Sequence, residues 1–189
     1  SNAINRMKLI IMGPPGAGKG TQAKILGKKY NLLHLSTGDI LRHEIDQKTE
    51  IGLEAQSYMN KGNLVPDNVL LTIVKNALTQ LKDSGVILDG FPRTVPQAKG
   101  LNKIFQNLDS RIDYILNIHV ESNILINRLI ERAKNSGRKD DTEEVIVNRQ
   151  KVYQDLTAPL IHFYKDEIIQ IDGDGPIEEV TNRILEIMQ

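Results

Sequence analysis

The sequence predicts an α/β fold, a three-layer arrangement in which helices cover both faces of a five-stranded parallel sheet. Two observations predict it. Short runs of apolar residues alternate along the chain with longer amphipathic stretches. The runs are apolar almost from end to end, as strands buried on both faces are, whereas the stretches between them carry single apolar stripes at helical spacing.

The elements follow in order. Met7-Lys8-Leu9-Ile10-Ile11-Met12 reads as a buried strand ended by Gly13. A helix is predicted from Lys19 to about Tyr30, with Ala23, Leu26 and Tyr30 on one face. His34-Leu35-Ser36 is a brief second strand, and Ser36 and Asp39 have capping-box spacing before a helix through Ile45. From Pro66, the stripe Leu70, Ile73, Val74, Ala77, Leu78 and Leu81 marks the next helix. Val86-Ile87-Leu88 is a strand running into Asp89-Gly90. Ala98, Leu101, Phe105 and Leu108 trace another helix, Tyr114 to Val120 a strand, and a helix follows to about Arg132. A polar, glycine-containing loop is expected over Lys134 to Asp141, then a long helix toward Ala158, where Pro159 should break or kink it. Glu167 to Ile171 is the last strand, and Ile177, Val180, Ile184 and Ile187 stripe the closing helix. Right-handed crossovers leave ligands at the carboxyl ends of the strands. Two segments, about 36–65 and 133–141, interrupt the rhythm at that edge as covers would.

Composition removes whole classes of function. The chain has 189 residues, the size of one domain, with 40% hydrophobic residues for its core. No apolar run approaches the roughly 18 residues a membrane span needs. Cysteine is absent, so disulfides, thiolate catalysis and cysteine-based zinc sites are excluded. The 24 basic and 24 acidic residues cancel, and there is no Trp, so neither a global field nor stacking platforms favour nucleic acid. The opening Ser1-Asn2-Ala3 reads as a remnant of an expression tag, and a cytoplasmic location is expected.

Chemistry concentrates in one loop. Gly13-Pro14-Pro15-Gly16-Ala17-Gly18-Lys19-Gly20-Thr21 contains G-x-x-x-x-G-K between a predicted strand and a predicted helix, the context a P-loop NTPase motif requires. Glycines let successive N–H groups turn inward on an anion, the helix N-terminus adds partial positive charge, and Lys19 supplies a cation for the outer phosphates. Gly20 stands where a hydroxyl normally follows the lysine, so Thr21 is the natural substitute for the magnesium contact.

Three segments then carry a family resemblance: GPPGAGKGTQ (13–22), LSTGDILR (35–42) and LDGFPRTVPQ (88–97). In that order and spacing the chain resembles the nucleoside monophosphate kinases over nearly its whole length, and adenylate kinase most. The resemblance implies that Gly16, Ala17, Gly18, Lys19, Gly20 and Thr21 hold ATP, with Arg128 stacked on its adenine and Gly175 offering main-chain contacts beside it. It implies an AMP site of Thr37, Arg42, Asn63, Leu64, Val65, Gly90, Phe91, Pro92, Arg93 and Gln97, with Gln97 reading the adenine edge. Arg93, Arg132, Arg138 and Arg149 would join Lys19 as the catalytic cations, Arg138 and Arg149 reaching the acceptor as well. Asp89 and Thr21 would serve Mg2+, partly through water. Arg128 and Arg132 are four apart on one helical face, and such like charges suggest an anion or carboxylate nearby. Asp140 and Asp141 could pair with these arginines or cap the following helix.

The implied reaction is reversible transfer from ATP to AMP, giving two ADP. It needs positioned positive charge, since it brings two anions together and the acceptor needs no strong general base. Residues 36–65 would form a mobile acceptor-binding cover, and residues 132–141 a mobile short lid without zinc. The expected partners are ATP and AMP or ADP, with no nucleic acid and no membrane, and the expected state is a monomer. A UMP/CMP kinase shares the short lid but tends to carry Ala at the position of Thr37 and Asn near Arg93; Thr37 and Gln97 favour adenine. A P-loop ATPase or switch protein would explain residues 13–21 but not 35–42 and 88–97 together. A non-catalytic nucleotide sensor would tolerate loss of Lys19 or Arg93, and both are present.

Overall fold

The computed structural model describes residues 6–60, 65–81, 84–136 and 142–189. Asn63, Leu64, Arg138, Asp140, Asp141 and the first three residues lie outside them.

Five strands, β1 (Lys8–Met12), β2 (Leu33–Ser36), β3 (Val86–Asp89), β4 (Tyr114–His119) and β5 (Ile168–Asp172), form one all-parallel sheet in the order β2-β3-β1-β4-β5. The two-residue period of the strands divides the core. Ile10, Met12, Val86, Leu88 and Ile115 point to one face, and Leu9, Ile11, Ile87, Leu116 and Ile118 to the other. The first face is covered by α4 (Asp67–Leu81), α5 (Val95–Asn107) and the end of α7 (Glu143–Phe163), through Val74, Leu101 and Leu160. The second is covered by α1 (Lys19–Tyr30), α6 (Ser122–Ser136) and α8 (Ile177–Ile187), through Leu26, Leu125 and Ile184. Every residue of β1 and β3 is buried, which is why their sequences show no polar alternation.

Helix starts agree with the sequence chemistry. The Ser36 hydroxyl caps α2 (Thr37–Asp46) by accepting from Asp39 N at 3.3 Å. Thr94 caps α5, with a proline in its first turn. Thr142 caps α7 ahead of Glu143 and Glu144, acids placed against the positive end of that helix. Among the described residues no helix is long and apolar enough to cross a membrane.

Four expectations are corrected. A second helix, α3 (Glu50–Met59), lies between α2 and α4, where the sequence reading placed none; Thr49 caps it. The loop expected from Lys134 begins later, because α6 continues to Ser136. Glu131, Arg132, Ala133 and Lys134 near its end are good helix formers, with Glu131 and Lys134 paired at 3.5 Å. Pro159 does not end α7, which runs on to Phe163; burial of Leu160 and Tyr164 holds that final turn in the core. Leu108, assigned to the apolar stripe of α5, sits just past the helix end and is 39% exposed.

Candidate active site

The chain leaves the central strand β1 toward β2 on one side, and later crosses to β4 and β5 on the other. The segments following β1 and β3 therefore lie side by side at the carboxyl edge, where Ile11 pairs with Asp89 and Asp89 with Ser36. After β1 the chain turns through 13–18 into α1. Gly18 sits before the first helical residue at φ 88°, a left-handed value that a side chain would strain. The turn directs Lys19 toward the end of β3, where its ammonium bonds the Asp89 carboxylate. The other oxygen of Asp89 accepts from His34 Nε2 at 2.8 Å, and the carboxylate is 7% exposed.

Beside the loop opens a cleft of about 450 Å³, within the range typical of small-molecule sites. Lys19, Arg93 and Arg149 line it together with Gly13, Gly90, Phe91 and Pro92. Three of the cations singled out from sequence thus share one cavity, although Arg93 and Arg149 are 56 positions apart in the chain. Tyr153 lines the same wall. Burial pushes its phenol above the ordinary value, with Thr157 and the charge of Arg93 opposing that shift.

Residues assigned to the acceptor side converge on the Gly90 carbonyl. It accepts from Arg93 Nε at 2.8 Å and from the Thr37 hydroxyl at 3.3 Å. Gly90 itself is at φ 85°, and a methyl group there would lie 3.3 Å from both the Arg93 guanidinium and the Thr37 hydroxyl. Gln97 is 3% exposed, and both ends of its amide are engaged. Oε1 accepts from Arg93 N at 2.7 Å, and Nε2 donates to Asp67 Oδ1 at 2.9 Å. It braces the Arg93 loop against the start of α4. Val65 is buried beside this region in the core. Arg42 stands apart on the exposed side of α2, bonded to Asp39 one turn earlier; that bond holds the Asp39 carboxyl below its usual range.

On the other flank Arg128 bridges two loops. Its Nη1 donates to Gly16 O at 3.2 Å and its Nη2 to Gly173 O at 3.3 Å, with the Asp174 carboxylate 4.0 Å away, a nearby carboxylate as the spacing of Arg128 and Arg132 suggested. Arg132 is exposed one turn further along α6. Gly175 takes φ 103° at the end of that second loop. Ala17 is buried under the phosphate loop, and Thr21 is exposed in the first turn of α1.

The site uses several residues that sequence reasoning passed over. Arg183 donates to the carbonyls of Asp172 and Asp174 at 2.7 and 2.6 Å, and Gln150 donates to Pro15 O at 2.9 Å. Gln150 lies on a helix remote in sequence from its loop, whereas Arg183 folds back from α8 onto the loop just before it. His34 was legible in principle, being on a strand one residue before the segment 35–42.

Comparison with known proteins decides the family. The family model for adenylate kinase matches residues 11–169. The chain belongs to the adenylate kinase family. Adenylate kinase of Leptospira biflexa is 50% identical over 181 residues, covering 94% of this chain and 97% of that protein. The adenylate kinase of Rhodococcus erythropolis is 46% identical over 180 residues, covering 95% and 97%. That of Parabacteroides distasonis is 46% identical over 183 residues, covering 95% and 96%. Similarity therefore spans the sheet, the phosphate loop and the Gly90–Gln97 segment of this adenylate kinase family member alike.

Proposed function

We propose that the chain moves the terminal phosphoryl group of ATP reversibly to the phosphate of AMP, giving two ADP. An oxygen of the AMP phosphate forms the new bond to the terminal phosphorus, and the bond to the β-phosphate oxygen breaks, leaving ADP. The observation that carries this reading is the cleft where Lys19, Arg93 and Arg149 face one volume beside the phosphate loop. A reaction between two phosphate anions needs cations fixed around the point of transfer more than it needs a base.

In this reading residues 16–21 cradle the ATP phosphates, and Arg128 and Gly175 border the donor adenine. Thr37, Arg42, Val65 and the Gly90–Gln97 segment take AMP. Asn63, Leu64 and Arg138 keep their sequence-based assignments, as do Arg132 and the two covers, residues 36–65 and 132–141. Closing the covers would exclude water and suppress simple hydrolysis. Arg42 would exchange Asp39 for the acceptor phosphate, and Gln97 would turn part of its amide from Asp67 to the base.

Magnesium suits the donor set. Asp89 and Thr21 are hard oxygen donors beside the loop, and a cation that also takes phosphate oxygens and waters needs only one or two protein groups. Among the described residues no larger cluster of metal-binding side chains is present. When bound, Mg2+ would neutralise charge on the triphosphate; Asp89 would hold it or its waters, and Lys19 would be released toward the phosphates. We read the protein as a cytoplasmic monomer working on free nucleotides, without nucleic acid or membrane.

A coupled assay with ATP, Mg2+ and AMP, CMP, UMP or GMP tests the proposal. ADP formation fastest with AMP is expected. A preference for UMP or CMP would move the assignment to pyrimidine acceptors, and phosphate release without any acceptor would sink the transferase reading.

A further inference from the structure

The phosphate loop is held from outside by a side chain that the proposed reaction does not use. Ala17 N donates to Pro14 O at 3.1 Å, closing a four-residue turn with Pro15 and Gly16 at its centre. Gly16 has φ 86°, so the turn is type II. Types I and II differ by a flip of the central peptide, which exchanges the directions of the Pro15 carbonyl and the Gly16 N–H.

Gln150, on α7 next to Arg149, settles that flip. It is 4% exposed, and its Nε2 donates to Pro15 O at 2.9 Å. A carbonyl only accepts, so the amide nitrogen must face the loop; Oε1 is left buried without a partner. A buried unpaired oxygen lowers stability, whereas the exposed residue Pro15 could give its carbonyl to water. Packing alone therefore does not account for an amide at this position.

We propose that Gln150 is a positioning residue for the phosphate loop: it keeps the Pro15–Gly16 peptide in the type II orientation and so presets the Gly16 amide for the triphosphate. Arg128 does the same for the following carbonyl, Gly16 O, from α6. The inference rests on the proposed reading of the loop as the ATP site.

The test compares Gln150→Met and Gln150→Glu with the wild type. Both keep the bulk; Met has no donor, and Glu has none in its ionised form, so the Glu variant is assayed at a pH that ionises it. The expected result is a roughly three- to tenfold rise in KM for ATP, the loss of one net hydrogen bond, with KM for AMP unchanged within about twofold. For Gln150→Met the Tm stays within about 4 °C of wild type. Calorimetric titration with ATP reads the same loss without turnover. A wild type that binds ATP but makes no ADP from ATP and AMP would count against the proposed reaction, while the affinity difference still judges Gln150. Unchanged ATP affinity in both variants overturns the inference. So does an equal rise in both KM values, or a Gln150→Met chain that fails to fold, because Gln150 would then be a packing residue.

Discussion

Lys19 and Asp89 are bonded to each other across the crevice between the phosphate loop and the end of β3. The Asp89 side chain is almost fully covered, and the Lys19 side chain is about three-quarters covered. His34 Nε2 donates to the second carboxylate oxygen, so both oxygens of the buried carboxylate have a partner. A double-mutant cycle with Lys19→Met and Asp89→Asn should give a coupling energy of about 1–2 kcal/mol in urea denaturation, reduced from a fully buried pair by the partial exposure of Lys19. Additive effects of the two changes would show that the contact contributes nothing.

Arg93 should matter to turnover and little to folding. Its guanidinium lines the cleft, and its Nε bond to Gly90 O is a contact that water can replace. Arg93→Ala is expected to cut kcat by at least about a hundredfold, at the low side of what single arginines contribute in phosphoryl transfer. Circular dichroism and Tm should be near wild type. A purified, folded variant with near-normal ADP production would remove Arg93 from the proposed mechanism.

Gly52 inverts the usual rule for helix interiors. In an exposed helix, Gly→Ala stabilises by about 0.5–1 kcal/mol. Here α2 and α3 cross so closely that a methyl group on Gly52 would be driven into the Glu44 carbonyl. Gly52→Ala should instead destabilise by about 1–3 kcal/mol, measured as a lower urea midpoint at unchanged m-value. A more stable Gly52→Ala variant would mean that the two helices do not meet at this point.

Tyr164 predicts an alkaline limit. Its hydroxyl is buried without a partner, and burial, aided by Glu167, pushes its pKa far above the ordinary value of 10.0. The folded state thus retains the proton that the unfolded chain gives up from about pH 10, so this group's stability is intact below pH 10 and lost as pH rises beyond it. Tyr164→Phe should match wild type within about 1 kcal/mol at pH 8. Its advantage over wild type should then grow steadily above pH 10, read from urea midpoints. Parallel loss of stability in the two proteins would show that Tyr164 ionises freely.

Much of this structure was legible in the sequence because local rules and the global fold agree. The strand β1 and the helix α1 follow from an apolar run, a glycine turn and a 3.6-residue stripe. Lys19, Asp89 and Arg93 were found because their types are tied to fixed places in motifs. What stayed hidden depends on distance along the chain. Helix α3 has a weak apolar stripe and was masked by its position inside a segment read as an insertion. Pro159 obeys tertiary packing over local preference. Gln150 gains its role only when α7 docks beside a loop more than a hundred residues earlier, and Arg183 only when α8 turns back over the end of β5. Gln97 shows a further limit: its type suggested a base contact, and its geometry adds a brace on Arg93 that the motif did not announce.

The lateral pairing of Ile11, Asp89 and Ser36 has a practical consequence. The phosphate loop and the Gly90–Gln97 segment start where the buried strands β1 and β3 stop, so much of the chemistry sits at the edge of the sheet. A graft of the segments at 36–65 or 90–97 from a relative would therefore have to keep Leu41, Ala55, Val65 and Phe91, which are buried in the apolar interior.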